Sequence, residues 1–273
     1  MKKVLGLFTC YNRCEKTRRC LESLQEDRKI QWEFVILDDS STDGTQAMLN
    51  AMKNVTVREG NGQSYYSGGM RIAISVAKEK LKKEPFDYVV LMNDDVKFHT
   101  DAISRMITYL NGEKAIMVGA TEDSAGNYTY GGIRKKSNWR PKYEHLMSGD
   151  KKVQCDTFNA NCVLLPSDIF MKLDNIDPVY IHSFGDYDYG FAARKKKIPI
   201  YVTNFYVGIC EHDHDKKSTW QDSSLSRKKR LELKERALGH PGKIWFHFLK
   251  KNYNIITAIV YTLNDYAKIA FKR

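Results

Sequence analysis

No apolar run in this 273-residue chain approaches the ~20 residues that cross a bilayer, which excludes an obvious membrane span. The first residues, Met1 to Phe8, begin like a signal peptide. The run stops at once in Thr9-Cys10-Tyr11-Asn12-Arg13, so it reads as a first strand and the protein is expected in the cytoplasm. Six cysteines (Cys10, Cys14, Cys20, Cys155, Cys162 and Cys210) lack any paired spacing, which excludes a disulfide framework and a CxxC zinc site and leaves reduced thiols. Neither GxGxxG nor GxxxxGK[ST] occurs, which disfavours dinucleotide dehydrogenases and P-loop NTPases. Basic residues are not interleaved with aromatics in a stripe, so no nucleic-acid partner is expected.

What is present is a globular composition, 42% hydrophobic and 28% charged, long enough for one large domain or two small ones. The net charge of +11 points to an anionic partner such as a nucleotide, an anionic polymer or a membrane surface. Strand and helix signals alternate through the first hundred residues. Strands are predicted at Val4 to Thr9, Phe34 to Leu37, Val55 to Arg58 and Tyr88 to Met92. Helices are predicted at Glu15 to Gln25, Gln46 to Lys53 and Met70 to Lys83, with Ser67-Gly68-Gly69 a close-approach loop before the last. This order predicts an α/β fold with a doubly wound parallel sheet. Its strands all end in polar or Gly-rich loops, at the edge where such sheets bind ligands.

Two carboxylate pairs stand out. Asn93-Asp94-Asp95 follows the fourth strand, and hard cations such as Mg²⁺ and Mn²⁺ favour such oxygens beside a diphosphate. Asp186 and Asp188 open a short helix that closes on Arg194 to Lys197. Helix capping explains that pattern equally well; the chemical reading is that Asp186 is a general base, its ionised form favoured by the helix N-terminus. In Cys210-Glu211-His212-Asp213-His214, the two histidines alternate and would face one side of an extended segment, as metal ligands can.

The ordered set VILDDSSTDGT (Val35 to Thr45), GNGQSYYSGGM (Gly60 to Met70), LMNDDV (Leu91 to Val96), NANCVLLP (Asn159 to Pro166) and DPVYIHSFGDYDYGFAAR (Asp177 to Arg194) resembles the family 2 glycosyltransferases, inverting enzymes of the GT-A fold. The nearest look is to bacterial rhamnosyltransferase-like and galactofuranosyltransferase-like members that build surface polysaccharides. The resemblance implies a Rossmann-like nucleotide-binding half (1–96) fused to an acceptor half (97–220) in one mostly parallel sheet. It implies a UDP- or dTDP-sugar donor, a glycan or lipid-linked acceptor, and Mn²⁺ or Mg²⁺. Thr9, Tyr11, Arg13 and Asp38 would line the nucleobase and ribose pocket, and Gly68 and Gly69 would let the backbone approach the donor. Asn93 and Asp94 would serve ribose and sugar, and Asp95 would ligate the metal with His212, or with His214 in another register. Asp186 matches the catalytic base. Asn93 stands where the family's DXD motif usually has Asp.

Residues 221–273 lie beyond the shared region and read as a helical extension. Ile256, Ile259, Val260, Leu263, Ala267 and Ala270 keep a helical period, with Lys268, Lys272 and Arg273 toward the end. That stripe suits packing on the catalytic domain or in a homodimer through residues 243–273, as amphipathic helices usually do; the alternative is a basic helix on the inner face of a plasma membrane.

Overall fold

A computed structural model of the chain describes residues 1–146, 152–211 and 219–271. The first half runs β1 (Lys2–Cys10), α1 (Cys14–Gln25), β2 (Ile30–Asp38), α2 (Thr45–Asn50), β3 (Val55–Glu59), α3 (Tyr65–Lys83), β4 (Tyr88–Met92), β5 (Lys97–Phe98) and α4 (Ala102–Leu110). The second continues through β6 (Ile116–Glu122), β7 (Gly132–Lys135), β8 (Tyr143–Leu146), β9 (Val153–Gln154), β10 (Thr157–Phe158), β11 (Cys162–Pro166) and α5 (Ser167–Lys172). Then come α6 (Gly185–Lys195), β12 (Ile200–Ile209), α7 (Arg227–Glu235), α8 (Gly242–Asn252) and α9 (Ile255–Phe271).

The main sheet has the order β3-β2-β1-β4-β11-β6-β12-β5, with β9 pairing β12. Strands β3, β2, β1 and β4 are mutually parallel, and β12 is parallel to β6. One strand reverses in the middle: β11 is antiparallel to both β4 and β6. Its start, Cys162, therefore pairs with the end of β4, Met92, and carries Asn159 to Asn161 to the same edge as the strand ends. A small antiparallel sheet has the order β10-β7-β8.

Apolar runs are buried on both faces, as parallel strands require. On β1, Leu5 and Leu7 join the core under α3, α5, α6 and α8, whereas Val4 and Phe8 join the core under α1 and α4. The same alternation separates Val89 and Leu91 from Val90 and Met92 on β4. Strand β12 runs unbroken from Ile200 to Ile209. Its pairing with β6 shifts register between Val202 and Tyr206 and between Tyr206 and Gly208.

Helix α3 begins at Tyr65, so Gly68 and Gly69 sit inside its first turns rather than in a loop. A Cβ on Gly69 would stand 2.4 Å from Oγ1 of Thr9 and 2.9 Å from Cδ2 of Leu37, whereas one on Gly68 would meet nothing closer than 3.6 Å. Gly69 thus lets α3 lie against β1 and β2. Gly69→Ala is expected to destabilise the fold by about 1–3 kcal/mol through overpacking. Gly68→Ala is expected to be neutral or stabilising by up to about 1 kcal/mol through helix propensity. Paired urea titrations check the contrast.

Candidate active site

The parallel register brings the ends of β1, β2 and β4 to one edge, beside the start of β11 and the end of β12. A cavity of about 790 Å³ opens there. Its lining includes Thr9 at the end of β1, Tyr11 and Arg13 from the loop that follows, Asn93 to Asp95 after β4, Asn159 to Asn161 before β11, and Asp186 on α6. Of the residues the sequence nominated for the nucleotide, sugar, metal and proton, these seven therefore meet in one place: Thr9, Tyr11, Arg13, Asn93, Asp94, Asp95 and Asp186.

The Asp pair is tied to the first loop by Arg13, whose Nη1 donates to Oδ1 of Asp94 at 3.2 Å and to Oδ2 of Asp95 at 2.8 Å. Asp94 is buried, and burial pushes its carboxyl up to about 6, with Arg13 pulling down and Asp95 pushing up. Asp95 is half-buried, and the Cys210 thiol donates to its Oδ1 at 3.7 Å. The two acids differ: Asp94 belongs to the floor, and Asp95 presents its carboxylate nearer the opening.

Three nominated residues are placed differently. Asp38 is wholly buried and does not line the cavity; its Oδ1 takes the Ser41 hydroxyl and the Ser41 N–H, bracing the β2–α2 loop. The next acid, Asp39, lines the cavity instead and accepts N–H bonds from Gly62, Ser64 and Tyr65 at 2.9–3.1 Å. The strand's alternation decides this, because Asp38 is the last residue of β2 and faces inward while Asp39 follows it into the loop. Gly68 and Gly69 are not in the lining of this cavity; beside Gly69's packing on β1, the Gly68 N–H donates to the Ile181 carbonyl at 3.1 Å. His212 and His214 lie outside the described residues. The strand leading toward them ends with Ile209 paired to Glu122, and the following Cys210 and Glu211 line the cavity.

Asp186 is held by its backbone surroundings. Its Oδ1 accepts from the Tyr187 N–H at 2.8 Å and its Oδ2 from the Ala160 N–H at 3.3 Å. Part of its surface opens on the cavity, but the protein around it strips most hydration, and burial raises the carboxyl to about 6. This runs against the expectation that the helix N-terminus would favour its ionised form; the backbone N–H bonds act in that direction and are outweighed. Helix α6 is itself pinned. Asp188, buried, accepts from Lys251 Nζ at 2.8 Å and Asn252 Nδ2 at 2.7 Å, both on α8. Phe184, just before α6, has a left-handed backbone with φ 71°, a costly setting for a bulky residue. Its ring is held by Trp245 at 5.1 Å and Phe248 at 4.9 Å. Tyr65, also in the cavity wall, is left-handed as well.

The sequence did not nominate the end of the cavity formed by Leu238, Gly239 and His240, between α7 and α8. His240 packs on Trp245 at 4.7 Å, and burial lowers it to about 4, so it is neutral near pH 7. The tail read as an extension is thus part of the cavity wall. A Gly-His-Pro-Gly turn carries no periodic signal that could have revealed it.

The glycosyl transferase family 2 profile matches residues 7–172, well over half of the chain and all of the loops from Thr9 through Asn161. The chain belongs to glycosyl transferase family 2. No curated protein matches the sequence. Among solved structures, this family 2 member is similar to the mannosyltransferase PcManGT from Pyrobaculum calidifontis, a complex with GDP-Man and Mn²⁺. That match has a TM-score of 0.55 at 12% identity and covers 98% of this chain and 73% of that one. It is also similar to S. aureus TarS 1–349 in complex with UDP-GlcNAc, with a TM-score of 0.57 at 11% identity and coverage of 98% and 90%. Against a longer TarS structure the chain spans 44% of that protein, at a TM-score of 0.57 and 12% identity. These likenesses establish the GT-A type of fold: a large, mostly parallel sheet with a helical C-terminal region.

The glycosyltransferase cavity suits a divalent cation. Asp94 and Asp95 offer hard oxygen donors, the type Mn²⁺ and Mg²⁺ prefer. Burial leads the rise of the Asp94 carboxyl and Asp95 adds to it, so Arg13 alone does not offset the cost of two adjoining acids there. Among the described residues no cluster of three His, Cys, Asp or Glu side chains forms, so a cation there needs ligands beyond these two acids, as a bound diphosphate supplies.

Proposed function

We propose that this family 2 glycosyltransferase is a divalent-metal-dependent, inverting hexosyltransferase. It would move a sugar from a UDP- or dTDP-sugar to a hydroxyl of a glycan or lipid-linked acceptor in bacterial surface polysaccharide synthesis. The observation that carries the reading is the convergence of Asp94-Asp95 and the desolvated Asp186 on one cavity. Residues 1–96 would bear most donor contacts and 97–220 the acceptor contacts, with 221–273 closing the wall through His240.

Asp95 would hold Mn²⁺ or Mg²⁺, with His212 or His214 as a further ligand. When bound, the cation supplies neutralising charge for the departing diphosphate. Thr9, Tyr11 and Arg13 orient the nucleoside side of the donor, with Asp39 replacing Asp38 in the wall. Asp186 accepts the proton of the acceptor hydroxyl as its oxygen bonds to the anomeric carbon. The bond from that carbon to the diphosphate oxygen breaks on the opposite face, and inversion follows.

Incubating the chain with UDP-, dTDP- and GDP-sugars with and without EDTA tests this. Metal-dependent release of nucleoside diphosphate supports the reading. Release of pyrophosphate from a nucleoside triphosphate supplied with a sugar 1-phosphate, in place of nucleoside diphosphate release, would make it a nucleotidyltransferase, and no turnover of any donor would reduce it to a binding module. A base must be ionised to work, and Asp186 sits at about 6. The kcat/KM profile is therefore expected to fall about tenfold per pH unit below that value and to level off above it. A profile flat down to about pH 5 would remove Asp186 from the base role.

A further inference from the structure

We propose that the outward face of α9, together with the Trp139 loop, is a docking surface for a bilayer of anionic phospholipid. Helix α9 buries Thr257, Ala258, Asp265 and Ile269 against the protein. It leaves Ile256 62%, Ile259 47%, Val260 53% and Leu263 63% exposed along one stripe, with Ile255 beside them. No described residue covers that stripe. The acid on the helix, Asp265, is turned inward and paired with Lys268 at 2.9 Å, so the exposed face carries no carboxylate.

A segment more than a hundred residues away extends the patch. Thr257 Oγ1 donates to the Trp139 carbonyl at 2.9 Å, which sets Trp139, 67% exposed, beside the start of the stripe. Trp32, Trp220 and Trp245 are buried, so Trp139 is the one tryptophan facing solvent. Tryptophan is the side chain enriched at the membrane–water interface. Lys136, Arg140 and Lys142 are exposed on the same loop.

Charge selects the occupant. From Trp220 to Arg273 the sequence holds twelve Lys and Arg against four Asp and Glu, a net of +8 out of the chain's +11. A second copy would bring two such cationic segments together, whereas anionic headgroups complement them. No helix among the described residues is long and apolar enough to cross a membrane, so the contact is with its surface. This inference does not rest on the transferase reading, because vesicle binding is measured without donor or acceptor.

The test is flotation of the full chain with vesicles of equal parts phosphatidylglycerol and phosphatidylcholine, against phosphatidylcholine alone. Preferential flotation with the anionic vesicles, weakened by salt of about 0.5 M, is expected. The triple variant Ile256→Asp, Ile259→Asp, Leu263→Asp should lower partitioning by about a hundredfold or more while its thermal melt stays unchanged, since all three sites are exposed. A second variant outside the helix, Lys136→Gln, Arg140→Gln, Lys142→Gln, should weaken binding and flatten its salt dependence. Tryptophan emission should shift blue on binding, and Trp139→Phe should abolish the shift. Absence of flotation, equal flotation with neutral vesicles, or full binding by both variants would overturn the proposal. Sedimentation showing a dimer that the triple variant breaks, without vesicle binding, would assign the face to a second copy.

Discussion

Replacing Asp186 with asparagine is expected to lower kcat by about a thousandfold or more while leaving nucleoside diphosphate affinity within about twofold. The carboxylate touches the cavity but takes its own bonds from the backbone N–H groups of Tyr187 and Ala160, so its loss removes a proton acceptor and not a wall. The same substitution has a signed effect on stability. An acid raised from 3.8 to about 6 by burial binds its proton more tightly in the folded chain. The fold is therefore penalised as pH rises from about 4 to about 6 and stays penalised above. The asparagine side chain carries no such charge, so the variant should be more stable at about pH 8, by up to about 3 kcal/mol, with the gain gone below about pH 4. Rapid-quench turnover, calorimetric titration of nucleoside diphosphate, and melts at those two pH values provide the readouts. Equal loss of turnover and nucleotide affinity would remove Asp186 from the base role.

Replacing Asp95 with alanine should act on the other half of the reaction. Turnover is expected to fall by about two to three orders of magnitude, because neutralisation of the leaving diphosphate is a transition-state effect of several kcal/mol. Nucleoside diphosphate affinity should drop as well and lose its response to Mn²⁺, which separates this variant from the Asp186 one. Arg13 would keep its bond to Asp94, so the loop after β1 should remain in place and the melt should change little. Titrating Mn²⁺ by paramagnetic resonance with nucleoside diphosphate present is the decisive measurement. Unchanged Mn²⁺ uptake would mean that Asp95 is not a ligand.

How much of this was legible beforehand varies with the kind of information each feature needs. The β1 to β4 alternation was visible because apolar runs punctuated by polar loops are a local signal. Asn93-Asp94-Asp95 was visible for the same reason, as acids placed directly after a buried strand. Asp38 and Asp39 could not be told apart, because a one-residue difference in where the strand ends reverses which one faces the cavity. Gly68 and Gly69 looked like a loop because glycine usually breaks helices. Only the approach of α3 to Thr9 and Leu37 explains why a helix tolerates Gly69 there.

By itself, the sequence determined the family, the parallel frame and the residue types offered at each strand end, since these follow from local periodicity and short motifs. The tertiary structure alone decided which of those residues share one cavity. It reversed β11 so that Asn159 to Asn161 joined the strand ends, and it folded the tail back so that His240 closed the wall. It also set Trp139 beside α9. The physical reason is that long-range contacts depend on packing between distant segments, and no local pattern in either segment records its partner.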